Sequence, residues 1–304
     1  MWGKQDDKRA IATIRKACDK GVNLFDTAEE YGDGHSEELL GRALADRRKN
    51  VYIASKVTET NLRPDDLKKA CENSMRRLDT DYLDIYYVHW PNPDIPIEET
   101  IGGLKELRKE GKIRYFAPSN FGVSQLNEFS EEASIFFDQL PYSLLWRAIE
   151  YEVKPYCLKN GIGLVTYSPL LHGMLAGKFE NPEEVPPGRA RTRHFSGNRP
   201  NARHGEGGAE KETFETIARI REVCQSAGVN MAQAAIAWVL EREGVGTVMV
   251  GARNPEQIEE NIRAIDLDLS PGVTERLTEV TEQLKEVLGP NPDMWQGGNQ
   301  ARMS

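Results

Sequence analysis

The stretch VNLFDTAEEYG (22–32) decides how the rest of the chain is read. VNLF is a short apolar run of the kind that forms a strand buried on both faces. It leaves on Asp26, and Tyr31 follows five residues later between a Glu pair and a Gly. An Asp after a strand often serves only as a turn former or cap. The same pattern can also be half of an active site, and the neighbouring segments separate the two readings.

Six more runs of this type follow. They are VYIASKV (51–57), YLDIYYVH (82–89), KIRYFAP (112–118), SIFFDQ (134–139), GLVTYS (163–168) and TVMVG (247–251). Their β-branched and aromatic residues are mostly continuous rather than alternating, as in parallel strands. Amphipathic segments lie between them. Pro64 fits a first helical position, with Leu67, Cys71, Met75 and Leu78 striped after it. Ile101, Leu104 and Leu107 repeat the pattern, and Gly111 sits where a helix would end. Alternation of this kind predicts a parallel α/β sheet. No GxGxxG follows any of the runs, so the doubly wound dinucleotide fold lacks its fingerprint. The expectation is a (β/α)8 TIM barrel.

Seven strands are legible, not eight. The opening MWGKQDDKRAIATIRKACDKG reads as a loop end and a helix with no strand before it. The reading is a late start or a chain lacking the first barrel strand, with an open sheet edge that lowers activity unless something covers it. One domain is expected over residues 1–304, with no linker, a polar loop at about 180–210 and a tail at about 286–304. The loop is rich in Pro, Gly and Arg and poor in aliphatic residues. It reads as a disordered surface loop, or as a flap ordered by a ligand. Arg189, Arg191, Arg193, Arg199 and Arg203 would suit an anionic ligand.

Composition sets outer bounds. The 304 residues are 39% apolar and 29% charged, which argues against a membrane-embedded or disordered chain. No apolar run approaches the roughly 18–20 residues of a membrane span. A net charge of -9 argues against nucleic acid as the main ligand. Cys18, Cys71, Cys157 and Cys224 are scattered without a CxxC pair, reading as reduced thiols of a cytoplasmic protein with no metal site.

In a βα barrel the chemistry sits at the C-terminal strand ends. Asp26 ends the first run, Lys56 the second and His89 the third, spaced 30 and 33 residues apart. Ser119 and Asn120 follow the fourth run, Gln139 the fifth, and Tyr167 with Ser168 the sixth. Each residue alone has a bland explanation: a turn, a solvated lysine, a core histidine. Their joint placement at one rim suggests chemistry. A phenol of reference pKa near 10 is a weak acid at neutral pH. An ammonium beside it would lower that value, a carboxylate would hold the ammonium, and an imidazole would orient a carbonyl.

These residues resemble the aldo-keto reductases, (β/α)8 barrels that bind NADPH without a Rossmann motif. FDTAEEYGDGHSEELLGRAL is similar to the family's Asp–Thr–Ala–x–x–Tyr–Gly signature and following helix. The resemblance implies a catalytic set of Asp26, Tyr31, Lys56 and His89, with Tyr31 the proton donor. GKIRYFAPSNF is similar to a segment usually ending Gly–Val–Ser–Asn–Phe, although Pro118 stands here before Ser–Asn. Ser119, Asn120 and Gln139 would hold the nicotinamide carboxamide, and Tyr167 would stack on the ring. Ser168 to Lys178, including Leu170 and Gly173, would meet the pyrophosphate. VGARNPEQIEENIRA resembles the adenosine site, with Gly251, Arg253, Gln257, Glu260 and Asn261. Local chemistry agrees: Asn254 can cap a helix, Pro255 fits its first position, and a helix start suits phosphate.

Trp90 and Asn92 would help orient substrate. VHWPNPDIPIEET resembles bacterial members acting on sugars, inositols and related small carbonyls. The implied activity is reduction of an aldehyde or ketone with NADPH, NADH being possible, on a small-molecule substrate. Two alternatives stay open. One is a cofactor-binding regulatory subunit of the same fold, as some family members are for channels. The other is Schiff-base chemistry at Lys56.

Overall fold

A computed structural model describes residues 6–304. After α1 (Asp7–Asp19), seven strands alternate with helices. The first stretch runs β1 (Leu24–Asp26), α2 (His35–Leu44), β2 (Tyr52–Val57), α3 (Pro64–Leu78) and β3 (Leu83–Val88). It continues with α4 (Ile97–Lys109), β4 (Ile113–Pro118), α5 (Val123–Glu132) and β5 (Phe137–Pro141). Then come α6 (Val153–Lys159), β6 (Gly163–Tyr167), α7 (Glu210–Ala227), α8 (Met231–Leu240), β7 (Val245–Met249), α9 (Pro255–Ile262) and α10 (Pro271–Leu288). The strands form two sheets, β1-β2-β3-β4 and β5-β6-β7. Among the described residues no strand precedes β1. By contact the chain divides into two compact units. One runs to Asp138 and adds Ala252–Glu259 and Ser304; the other holds Gln139–Gly251 and Glu260–Met303.

In the first unit every pairing is parallel: Asp26 lies against Ala54, Lys56 against Tyr87, and Tyr87 against Ala117. Strand side chains alternate faces, so Leu24, Ala54, Ile85, Tyr87 and Ala117 share one face and pack together with Phe137. One step further along that face come Asp26, Lys56, His89 and Ser119. The polar set is therefore the continuation of the apolar core toward the strand ends.

The other strand faces are covered by helices. Pro64 occupies the first position of α3, with Asp65 and Asp66 in its first turn and Arg76 and Arg77 in its last, matching the helix dipole at both ends. Leu67, Cys71 and Leu78 on α3 and Ile101, Leu104 and Leu107 on α4 are buried. Gly111 turns the chain after α4 at φ 78°, a conformation that favours glycine. At the N-terminal side of the sheet, buried Asp84 accepts from the Ile53 N–H at 2.9 Å. It also meets Arg48 at 2.8 Å and Arg114 at 2.9 Å. Helix α9 is tied to α1 through Glu259, whose carboxylate lies 2.6 Å from Lys16 and 3.4 Å from Lys20.

In the second unit, β6 pairs parallel with β7 from Leu164–Val245 to Tyr167–Met249. The polar segment at 180–210 differs from a solvated loop, because Val185, Ala190, Thr192, His194 and Phe195 are buried. Arg193 explains how. Its guanidinium meets Glu206 at 2.7 Å, the Leu288 carbonyl at 3.1 Å and the Asn291 carbonyl at 3.1 Å. His194 Nε2 lies 2.8 Å from the Leu145 carbonyl. Polar groups can be interior when partners are supplied, and here the end of α10 and the tail supply them. Arg199 pairs with Glu210 at 2.7 Å. Two of the five arginines read as anion ligands are thus engaged by the chain's own carboxylates. None of the four cysteines forms a disulfide. Among the described residues no single helix is long and apolar enough to cross a membrane.

Candidate active site

The turn after β1 brings four reactive side chains into mutual reach. Lys56 is almost fully buried on β2, and its ammonium contacts the Asp26 carboxylate and donates to the Thr27 carbonyl at 2.8 Å. The ammonium stands 5.0 Å from the centre of the Tyr31 ring. That ring meets His89 edge-on, with centroids 5.8 Å apart. Glu30, next to Tyr31, places its carboxylate 3.4 Å from His89 Nδ1. Glu29 points elsewhere, accepting from the Thr58 N–H at 2.8 Å and the Asn61 amide at 3.1 Å, which fixes the turn to the loop after β2.

The electrostatics of the set departs from the sequence expectation at one point. Burial pushes the Tyr31 phenol above its usual range, and the Lys56 charge beside it only partly opposes this. The sequence reading counted the ammonium but not the desolvation. Burial also acts against the Lys56 ammonium, but Asp26 and then Tyr31 outweigh it, so Lys56 is held above its usual value. The resting site thus pairs a firmly cationic lysine with a neutral phenol.

Asn120, buried at φ 62°, lies beside this set, its amide donating to the His89 carbonyl at 2.9 Å and to Ser119 Oγ at 3.1 Å. Pro118, which departs from the family pattern, simply ends β4. Trp90 is buried. Asn92 donates to the Glu59 carbonyl at 2.8 Å and accepts from the Asp94 N–H at 2.9 Å, so both ends of its amide hold the loop.

The other expected positions lie in their own segments. Gln139 is buried in β5. Tyr167 ends β6, and the backbone then turns through positive φ at Ser168 (59°), Leu171, His172 (56°) and Gly173 (93°). Leu170 opens this short helical turn, and Lys178 beyond it is exposed. A Cβ added at Gly173 would come within 3.1 Å of the Arg189 guanidinium. The Arg189 guanidinium donates to the His172 carbonyl at 3.2 Å, which holds a cation beside this turn.

Gly251 and Arg253 are exposed after β7. Asn254 Oδ1 accepts from the Gln257 N–H at 2.9 Å, and Gln257 Oε1 accepts from the Arg253 N–H at 2.8 Å. The helix start expected from NPEQ is therefore built. Gln257, expected on a ribose or phosphate, spends its side-chain oxygen on this cap. Glu260 is exposed, its carbonyl accepting from Gln233 at 3.1 Å, and Asn261 is half-buried. The α9 start, with the exposed Arg253 beside it, suits a phosphate group.

The sequence reading passed over Glu30, Glu29 and the Thr27 carbonyl. The signal was present in the Glu pair of DTAEEYG, but which Glu turns toward His89 is set by the fold.

Residues 1–282 match the Aldo/keto reductase family. The aldo-keto reductase YhdN of Bacillus subtilis is 35% identical over 85% of this chain and 79% of its own. The NADH-specific methylglyoxal reductase of Escherichia coli is 30% identical over 93% and 90%. Among solved structures, an aldo/keto reductase from Klebsiella pneumoniae in complex with NADP and acetate is 29% identical. It superposes with a TM-score of 0.72, covering 98% of this chain and 90% of that one.

Proposed function

Since the chain belongs to the aldo/keto reductase family, whose general reaction is NAD(P)H-dependent carbonyl reduction, we propose that it reduces a small, sugar-like aldehyde or ketone to the alcohol with Tyr31 as proton donor. The observation that carries this is the buried Lys56 ammonium, held by Asp26 and set against the Tyr31 ring, with His89 at the ring's edge. We include in the proposal that residues 1–304 act as one domain, in the cytoplasm.

Ser119, Asn120 and Gln139 would hold the nicotinamide, with Tyr167 against it. Ser168, Leu170, Gly173 and Lys178 would meet the pyrophosphate, and Gly251, Arg253, Gln257, Glu260 and Asn261 the adenosine. When bound, the cofactor supplies a hydride to the carbonyl carbon. Tyr31 then gives its phenolic proton to the carbonyl oxygen as negative charge develops there. The phenolate left behind is stabilised by Lys56, and Asp26 keeps Lys56 in place. His89 orients the carbonyl, with Trp90 and Asn92 shaping the approach; because its amide is occupied, Asn92 acts through the loop it holds. The exposed Arg253 supports NADPH over NADH, and the Klebsiella structure holds NADP, although the Escherichia coli relative is NADH-specific.

The test follows NADPH consumption with an activated aldehyde. Tyr31→Phe should lose about 10²–10⁴ in kcat, the usual worth of a positioned general acid, while still binding NADPH. Unchanged turnover in that variant removes Tyr31 from the mechanism. Tight NADPH binding with no turnover over a broad carbonyl panel would instead favour a regulatory cofactor-binding role.

A further inference from the structure

The turn DTAEEYG carries one charge that the proposed chemistry does not use. Asp26 and Lys56 form a contact pair and largely cancel. Glu29 is folded onto the Thr58 N–H and Asn61. Glu30 remains at the rim, 46% exposed, with its carboxylate 3.4 Å from His89 Nδ1. It adds to the forces that keep the Tyr31 phenol protonated, so its field is felt at the proton donor.

The loops leaving β1 to β4 carry more acid than base. These loops cover 27–34, 58–63, 89–96 and 119–122, and their one Lys or Arg is Arg63, which pairs with Glu99 on α4 at 3.1 Å. They hold Glu29, Glu30, Asp33, Glu59 and Asp94 against Arg63, already engaged by Glu99, and His89. Among the five acids, Glu30 is the one in contact with a ring of the reactive set.

We propose that Glu30 selects the substrate's charge: its carboxylate, placed beside His89 next to the proton donor, disfavours carbonyl compounds bearing an anionic group near the reacting carbon and favours neutral or cationic ones. The inference rests on the reductase reading above. On that reading the carbonyl oxygen lies within reach of both Tyr31 and His89, so Glu30 is about one imidazole ring away. A unit charge roughly 7 Å off, at an effective dielectric between the protein-surface and bulk values, changes an anion's binding by about five- to tenfold. Because the carboxylate is half exposed, added salt weakens the effect.

The experiment compares kcat/KM for neutral glycolaldehyde, and for glyoxylate and betaine aldehyde, whose charges lie within two bonds of the carbonyl carbon, in the parent, Glu30→Gln and Glu30→Asp, with NADPH at low ionic strength. Ratios between variants cancel the intrinsic reactivity of each aldehyde. Glu30→Gln should raise the carboxylate-to-neutral ratio about five- to tenfold and lower the cation-to-neutral ratio by a similar factor. Glu30→Asp, which keeps the charge, should leave both ratios within about twofold of the parent, a distinction that a purely structural role would not produce. If Glu30→Gln turns over glycolaldehyde with unchanged ratios, the charge-selection inference is wrong and the reductase reading stands. If the parent reduces none of the three, the reductase reading falls and the inference with it. Should Glu30→Gln fail to fold, the parent decides alone: its carboxylate-to-neutral ratio must rise with ionic strength, and a flat response overturns the inference.

Discussion

Replacing Asp26 by Asn tests the electrostatic centre of the site, because it keeps the side chain's shape and removes one charge. Lys56 is only 1% exposed, and its ammonium is held by the Asp26 carboxylate and the Thr27 carbonyl. At contact distance and an effective dielectric near 20, the pair interacts by about 4 kcal/mol. Removing one partner of a buried pair costs about 3–5 kcal/mol, since the remaining charge stays desolvated. Asp26→Asn should therefore destabilise the chain by about that amount in urea unfolding at neutral pH. Lys56→Met should cost less, because Asp26 is 15% exposed and can recruit water. The double variant should be more stable than Asp26→Asn alone, with a coupling of about 2–3 kcal/mol, within the range contacting residues show.

The pH dependence has a definite sign. Lys56 is held above its ordinary 10.5, so the stability it contributes is fully present below 10.5 and is lost as pH rises through the higher folded value. Tyr31 is raised above 10.0 and acts in the same direction. The gap between the parent and Asp26→Asn should persist through neutral pH and close only in the alkaline range. A loss below about 1 kcal/mol for Asp26→Asn would refute the buried-pair argument, as would strict additivity in the double variant.

Two further outcomes follow from other segments. Arg253→Glu, at the exposed start of α9, should raise KM for NADPH about 10- to 100-fold while changing KM for NADH less than about threefold, since one strong charge-assisted contact to phosphate is replaced by repulsion. Equal effects on the two cofactors would deny Arg253 a role at the 2′-phosphate. Arg193→Ala should cost about 2–4 kcal/mol and open residues 180–210 to proteolysis, because it abandons the buried Leu288 carbonyl, the part-buried Asn291 carbonyl and Glu206. An unchanged urea midpoint would show that these contacts do not hold the segment.

The positions of Asp26, Lys56 and His89 were legible because they obey a local rule. Each follows an apolar run at a spacing of about one βα unit, and the parallel register sends all three to one face. The cap at Asn254 was legible for the same reason: its partner Gln257 is three residues away. Such features need only the period of the element or the chemistry of a turn.

What stayed hidden depends on partners distant in sequence. Glu30 and His89 are 59 residues apart, and neither residue type announces the other. The direction of the Tyr31 shift is a contest between desolvation and the Lys56 charge, and only the depth of burial decides it. The segment at 180–210 makes the same point about composition. Its arginines and histidines imply solvent only if no acceptors await them. The Leu288 carbonyl lies 95 residues beyond Arg193, and the Leu145 carbonyl 49 residues before His194. A polar stretch therefore reads as a loop whenever its partners are remote. Its arginines then read as ligand-binding until the fold shows which of them the chain has already used.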